Sequence, residues 1–132
     1  MGRVSADELW NIVHEKIGED LRGVTRYKAT EYDVVLRDDV RDLYGPEGDR
    51  RVVDDAIISQ LSSRDADSSY KAGDLNGLVK IFDDAWILTY PDSIAGKSGY
   101  IVSVQRRGGT TPMDTIEWCI DFLEDQESAL AG

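Results

Sequence analysis

The fold is decided by one stretch near the middle of the chain, residues 75–105, which reads LNGLVKIFDDAWILTYPDSIAGKSGYIVSVQ. Its β-branched and aromatic residues fall into three runs, which predict strands over Leu75–Phe82, Ala85–Tyr90 and Tyr100–Gln105. Asp83-Asp84 alone separates the first two runs, which is the length of a tight hairpin turn. A longer polar connection separates the second run from the third. The stretch therefore predicts the central meander of an antiparallel sheet.

Two further β-rich runs lie upstream of the meander. They predict strands over Val24–Lys28 and Tyr32–Arg37, and the short segment between them suits a second hairpin. Side chains that alternate along the second run place one face of that strand in the core and the other at least partly in water. Together the runs supply five strands for one antiparallel sheet.

Apolar residues at helical spacing predict helices at the start, in the middle and at the end of the chain. The first begins with a capping box, Ser5 to Glu8, and the last with Thr111-Pro112-Met113-Asp114, a capping residue followed by proline. The middle region has two parts, because Gly45-Pro46 breaks it after a short helix that opens at Asp38-Asp39. The expected helices are Ala6–Ile17, 38–44, Arg50–Ser62 and 113–123.

These elements predict an α+β fold in the order α-β-β-α-β-β-β-α, a five-stranded antiparallel sheet with helices on both faces. The polar stretch Ser63–Asp74 is predicted to be a loop, since it is too short for a domain linker, and residues 125–132 a frayed tail. We therefore expect residues 1–132 to form a single domain.

The composition predicts a soluble cytoplasmic protein. Cys119 is the only cysteine, so the chain has no intrachain disulfide, as is usual in a reducing compartment. No apolar run approaches the roughly 20 residues of a membrane helix, and the polar N-terminus lacks the apolar core of a signal peptide. We expect no membrane partner.

The charged residues are unusual in kind as well as in number. The net charge is −11, with 18 Asp against 8 Glu and 10 Arg against 5 Lys. Short carboxylates and scarce lysine resemble the proteins of salt-accumulating haloarchaea, in which acidity keeps the surface hydrated. The alternative is an acidic mimic or a cation-binding protein. Either way, a general nucleic-acid partner is not expected, because such binding needs clustered Lys and Arg.

Motifs that carry chemistry are absent or incomplete. Ala95-Gly96-Lys97-Ser98 has the end of a phosphate-binding P-loop, but a strand is predicted where a helix must follow. Cys119 lies on the apolar stripe of the last helix, and His14 is the only base available to it. The acidic pairs Asp38-Asp39, Asp54-Asp55 and Asp83-Asp84 are explained by a helix start, a solvated helix face and a turn. We predict no catalytic, cofactor-binding or metal site.

One small basic group is a candidate for recognising a partner. Arg106-Arg107 lies on a glycine-rich loop after the last strand, and Lys97 belongs to the connection at the end of the same strand. Arg106, Arg107 and Lys97 together would form a basic spot that binds a carboxylate or phosphate of another molecule. Alternatively, this is a solubilising loop whose glycines supply positive φ angles.

The order of elements is similar to that of roadblock/dynein light chain domains. That resemblance implies a sheet with the first and last helices on one face and the middle helix on the other. Profilin-like and PAS-like sensor domains combine similar sheets and helices. Short segments, Leu21–Val24, Val34–Val40, Val79–Trp86 and the closing helix, also resemble a family of small uncharacterised haloarchaeal proteins, which implies a stand-alone domain.

Three functions follow from these observations, in decreasing order of support. The first is a non-enzymatic interaction or regulatory module that self-associates as a homodimer through one sheet face or the middle helix, with a further protein partner unknown. Three Trp and six Tyr in a small domain favour it. The second is a sensor that binds a small molecule between sheet and helices. The third is an enzyme of unknown type.

Overall fold

The structure is a computed structural model that describes residues 4–62, 71–93, 95–110 and 113–131, with side chains described as far as residue 125. Within these residues, four α-helices and five strands follow one another, with a short 3-10 turn, Gly18–Asp20, after the first helix. The elements are α1 Ala6–Ile17, β1 Leu21–Tyr27, β2 Tyr32–Leu36, α2 Asp38–Arg41, α3 Pro46–Ser62, β3 Leu78–Ile81, β4 Ala85–Ser93, β5 Ser98–Gln105 and α4 Asp114–Ala131.

The five strands form one antiparallel sheet in the order β2-β1-β5-β4-β3. The last strand in the chain, β5, is therefore central and pairs with β1 on one side and β4 on the other. Val102 of β5 lies opposite Val24 of β1 and Leu88 of β4. The predicted α+β fold with a five-stranded antiparallel sheet is confirmed.

The helices cover the two faces of the sheet unequally. Helices α1 and α4 pack on one face over the larger apolar cluster, which contains Leu9, Val13, Leu88, Val102 and Leu123. Helix α3 packs on the other face over a smaller cluster of Tyr27, Val53, Ala56 and Ile101. Helices on both faces are thus confirmed. We call the two sides the α1/α4 face and the α3 face.

Local signals at the first helix act as predicted. Ser5 Oγ accepts a hydrogen bond from the Glu8 amide, and Glu8 Oε1 accepts one from the Ser5 amide, which completes the capping box. Gly18 ends the helix at a φ of +63°, a conformation that glycine adopts without strain. Asp38 opens α2, as its position before the apolar residues indicated.

Helix α3 begins earlier than the sequence pattern indicated. It starts at Pro46 rather than at Arg50. Gly45-Pro46 was expected only to break the preceding helix, but proline is tolerated in the first helical turn because the amides there have no partner within the helix. The Asp49 amide donates to the Gly45 carbonyl at 3.1 Å, which closes this first turn.

The meander differs from its predicted bounds at both ends. Strand β3 is only Leu78–Ile81, shorter than the predicted Leu75–Phe82. At its C-terminal end, the Phe82 amide already bonds to the Ala85 carbonyl in the hairpin. Strand β4 continues through Pro91 to Ser93, and Pro91 pairs with Gly99. A Cβ on Gly99 would lie 2.8 Å from the Pro91 Cα and 2.5 Å from the Tyr27 hydroxyl oxygen, so only glycine fits there.

The last helix, α4, continues to Ala131, and the predicted fraying of residues 125–132 stays a prediction. Its predicted cap, Thr111-Pro112, lies outside the described residues, as do residues 63–70 of the predicted loop. Lys71–Asp74, the described part of that loop, contain neither helix nor strand.

Candidate functional site

The candidate site is a cleft between the sheet and the α2–α3 region. A helix is about 10 Å wide, whereas five strands spaced about 4.8 Å apart span roughly 19 Å, so α3 alone cannot cover its face. The uncovered space, which we call the α3 cleft, is lined by Arg22, Tyr44, Val52, Ile87 and Ile101. Its inner part has a volume of about 70 Å³ and its outer part about 250 Å³.

The sequence creates the cleft by placing small or short side chains on the α3 face. Gly23 and Thr25 of β1 and Ser103 of β5 line the inner part. Their neighbours Val24, Val102 and Val104 point to the α1/α4 face and are buried in its cluster. Because alternate residues of a strand face opposite ways, the same two strands fill one face and leave space on the other.

Polar contacts near both ends of α3 fix the helix beside the cleft. At its C-terminal half, Gln60 Oε1 accepts a 2.6 Å hydrogen bond from the buried Tyr27 hydroxyl, and Gln60 Nε2 donates to the Ser93 carbonyl at 3.3 Å. At its N-terminal half, Asp49 forms a 2.9 Å ion pair with Arg41. Burial raises the pKa of the Tyr27 phenol, with a further contribution from the charge of Asp92. Helix α3 is thus anchored at both ends over an incompletely filled face.

A group of polar side chains lies at the end of the cleft nearest the β3–β4 hairpin. The Arg22 guanidinium donates through Nη1 to Gln105 Oε1 at 3.1 Å, and Arg37 Nη2 donates to the same oxygen at 2.9 Å. Arg37 is also paired with Asp39, and its hydrogen bond holds the pKa of that exposed carboxyl below its usual value. Arg22 Nε is buried and has no hydrogen-bond partner in the described part of the chain.

The predicted basic spot is not a single group, so its assumed proximity was wrong. Lys97 precedes the eight-residue strand β5 and Arg106 follows it, which places them at opposite ends, roughly 25–30 Å apart. Arg106 and Arg107 instead contact the β3–β4 hairpin. Arg106 Nη1 donates to the Phe82 carbonyl at 3.4 Å, and Arg107 lies 3.9 Å from Asp83. Gly108 has a φ of +79°. This value fits the alternative interpretation, a solubilising loop whose glycines supply positive φ angles.

The other residues considered for chemistry have structural surroundings. Cys119 is buried in the larger cluster, and burial raises the pKa of its thiol to about 11, so it is a poor nucleophile at neutral pH. His14 stacks on Trp10 with 5.7 Å between ring centroids, and its Nε2 lies 3.7 Å from a Glu19 oxygen. Among residues 4–62, 71–93, 95–110 and 113–125, no three His, Cys, Asp or Glu side chains are grouped to hold a metal ion.

The acidic pairs and the P-loop-like segment are explained as predicted. Asp54 pairs with Arg50, and Asp55, at the border of the outer cleft, pairs with Lys80; both carboxylates are solvent-exposed. Asp83-Asp84 forms the turn between β3 and β4. Ser98 begins β5, so a strand follows the P-loop-like segment. Lys97 has a φ of +52°, which belongs to the turn between β4 and β5.

Sequence reasoning did not single out Arg22 and Gln105. They are 83 residues apart, and only the pairing of β1 with β5 brings them together. The available signal was weaker: small residues at Gly23, Thr25 and Ser103 within otherwise bulky strands indicated an incompletely filled face.

Comparison with known proteins identifies a family but not an activity. A search of curated proteins gave no match. No helix in the described part of the chain is long and apolar enough to cross a membrane. A family model matches residues 7–124, which include every strand and nearly all of α1. The chain therefore belongs to the family described as a domain of unknown function, DUF7522.

Proposed function

We propose that this chain is a non-enzymatic protein-interaction or regulatory module that self-associates through strand β3 and the C-terminal half of α3. One observation carries the proposal. In the described part of the chain, most of the large apolar side chains that remain exposed lie on or beside these two elements; they are Ile58, Leu61, Leu75, Val79, Ile81 and Phe82.

The two edges of the sheet differ in a way that favours β3. An edge strand presents unpaired backbone groups that can pair with another chain. On β3, Val79 and Ile81 are exposed, Ile81 to 60%. On the opposite edge, the apolar side chains of β2 are half-buried. An antiparallel pairing of β3 with β3 of a second copy is self-complementary about a two-fold axis and would cover the exposed pair.

The charges near β3 permit such a contact. Lysine on an edge strand usually discourages pairing, but Lys80 is neutralised by Asp55 at 2.7 Å. The strand itself, Leu78–Ile81, contains no carboxylate. At the adjoining hairpin, Arg107 lies near Asp83, which reduces the negative charge there. We propose that Arg106 and Arg107 belong to the rim of this interface.

The setting that we propose is the cytoplasm of a salt-accumulating haloarchaeon, which the Asp-rich, Lys-poor composition supports. Two chains of charge −11 repel each other in dilute buffer, whereas the Debye length falls to about 3 Å at 1 M salt. The resemblance to roadblock/dynein light chain domains also supports self-association, since α1 and α4 share one face and α3 lies on the other.

Light scattering coupled to size-exclusion chromatography tests the proposal. In about 1 M KCl we expect a homodimer, with more monomer near 0.1 M as screening weakens. Ile81→Asp should shift the protein to monomer because it brings two carboxylates into the β3 contact. Leu43→Asp is the matched control, since Leu43 is 71% exposed but lies after α2. A protein that stays monomeric at every practical concentration in molar salt would overturn the proposal.

A second candidate function is a sensor that binds a small molecule. The α3 cleft favours it, because apolar walls surround a few polar groups in the way ligand sites do. A thermal-shift screen of a metabolite panel tests this candidate, since a ligand that binds only the folded state raises its melting temperature. A broad panel without any shift would count against it.

A further inference from the structure

We propose that the α3 cleft binds a small organic carboxylate, with the carboxylate held by Arg22 and an apolar body lying against the cleft walls. The proposal rests on the second candidate function and names the class of ligand. It is tested separately from self-association, although Lys80 and Phe82, which border the outer part of the cleft, also lie on or beside β3.

Among the half-buried arginines of the described residues, Arg22 alone forms no ion pair with a carboxylate. Arg26, Arg37, Arg41 and Arg50 each form an ion pair with a carboxylate. Arg22 bonds only to the neutral amide oxygen of Gln105 within the described residues. In a chain of net charge −11, a half-buried guanidinium without a carboxylate indicates a cation kept for a ligand.

The hydrogen bond that Arg22 makes through Nη1 does not use the Nε–Nη2 edge of its guanidinium. Nη1 donates to Gln105, whereas Nε is buried without an acceptor. A buried donor without a partner is energetically unfavourable. The Nε–Nη2 edge is the one that binds a carboxylate through two parallel hydrogen bonds. A modest rotation of the side chain toward the cleft would satisfy Nε and pair the charge at once.

Gln105 positions this guanidinium without neutralising it. Its Oε1 accepts hydrogen bonds from both Arg22 and Arg37, so two cations meet at one uncharged oxygen. Gln105 Nε2 donates to the carbonyls of Asp84 and Arg107, which fixes the amide. The charge of Arg37 is offset by Asp39, which leaves the charge of Arg22 for an incoming anion.

The acidic residues that line the cleft do not cancel this charge. Asp49 of the inner part pairs with Arg41 at 2.9 Å, and Asp55 of the outer part pairs with Lys80 at 2.7 Å. Each of these carboxylates is therefore already neutralised by its own cation. Arg22 borders both the inner cleft and the groove toward the β3–β4 hairpin, which Asp83 and Asp84 also line.

The walls and the size of the cleft define the rest of the ligand. Leu36, Val40, Val52, Ile87 and Ile101 give an apolar lining. The inner and outer volumes, about 70 and 250 Å³, are below the roughly 300–1,000 Å³ of sites for drug-sized molecules. They suit a short aliphatic chain or one aromatic ring, and they are too small for a nucleotide.

The test compares acids with their uncharged amides on the full chain in molar salt. Benzoate and hexanoate are titrated by calorimetry beside benzamide and hexanamide, which have nearly the same shape without the charge. We expect the acids to bind and the amides to bind at least tenfold more weakly. Acids and amides that bind equally would overturn the proposal.

Three variants locate the binding. Arg22→Gln should weaken acid binding at least tenfold, whereas Arg50→Gln, the matched loss of an arginine that does not line the cleft, should leave it unchanged. Ser103→Leu fills the inner cleft without altering Arg22 and should also weaken binding. It keeps the test valid if Arg22→Gln fails to fold. Acid binding that is unaffected by both Arg22→Gln and Ser103→Leu would overturn this site.

The outcomes separate this proposal from the sensor function. If another compound of the metabolite panel binds without any effect of Arg22→Gln, the sensor function stands and the carboxylate site is wrong. If neither these acids nor any panel compound binds, both are wrong. Neither result alters the light-scattering test of self-association.

Discussion

The two faces of the sheet are built from the same strands but packed to different degrees. On the α1/α4 face, two helices enclose one continuous apolar cluster in which Leu9, Val13, Val102 and Val104 are fully or almost fully buried. On the α3 face, one helix covers a cluster of only four buried residues beside a cleft with polar groups. The difference indicates that stability resides mainly on one face, which leaves the other free to carry a ligand site.

The largest expected effect comes from truncating neighbouring residues of β4 that face opposite ways. Leu88 is 1% exposed on the α1/α4 face, and Leu88→Ala should lower the free energy of unfolding by about 3 kcal/mol, since it leaves a cavity in a filled core. Ile87 lies half-buried beside the existing cleft, so Ile87→Ala should cost only about 1 kcal/mol. Urea denaturation in molar salt measures both, and equal losses would contradict the difference between the faces.

The sequence predicted the helices and strands that form both faces of the sheet. It did not predict how completely side chains would pack the space between each face and its helices. Capping at Ser5 and Glu8, the turn at Asp83-Asp84 and the burial of Cys119 follow from local chemistry, and local patterns identify them. The extent of β4 depends on Gly99 lying against Pro91 and Tyr27, a contact made across strands. Strand bounds were therefore less predictable than strand number.

The candidate site could not be predicted for the same reason. Arg22 and Gln105 meet only in the register that pairs β1 with β5, and an alternating pattern does not specify which strands are neighbours. Exposed arginines such as Arg106 and Arg107 were easier to notice in the sequence than a half-buried one. All three tryptophans pack half-buried against the α1/α4 cluster, so they lie outside the surface on β3 and α3 that we propose for self-association.

A smaller effect should come from the polar contact that anchors α3. Tyr27→Phe removes the donor to Gln60 Oε1, so a buried acceptor loses its partner, and we expect a loss of about 2 kcal/mol. Tyr32→Phe is the control, because the Tyr32 hydroxyl makes only a long, exposed contact of 3.4 Å with the Pro46 carbonyl, and it should change stability by less than about 0.5 kcal/mol. Thermal and urea unfolding measure both variants. If Tyr27→Phe has no effect, the hydrogen bond between Tyr27 and Gln60 does not anchor α3, and the two faces are more alike than this contact indicates.

The smallest of these effects tests whether water is excluded from the α1/α4 face. It is a loss of unfolding free energy at alkaline pH. Burial raises the pKa of the Cys119 thiol from 9.0 to about 11, so above pH 9 the unfolded chain loses this proton before the folded chain does. The contribution of Cys119 is therefore complete below pH 9 and is lost as the pH rises through about 11; at pH 10 the loss is about 1.4 kcal/mol. Urea denaturation from pH 8 to pH 10 should show this loss in the native chain, and Cys119→Ala should show a decline that is smaller by that amount, since both proteins share every tyrosine. Identical pH profiles would mean that water reaches Cys119, and the α1/α4 face would then not be the dry, filled side of the sheet.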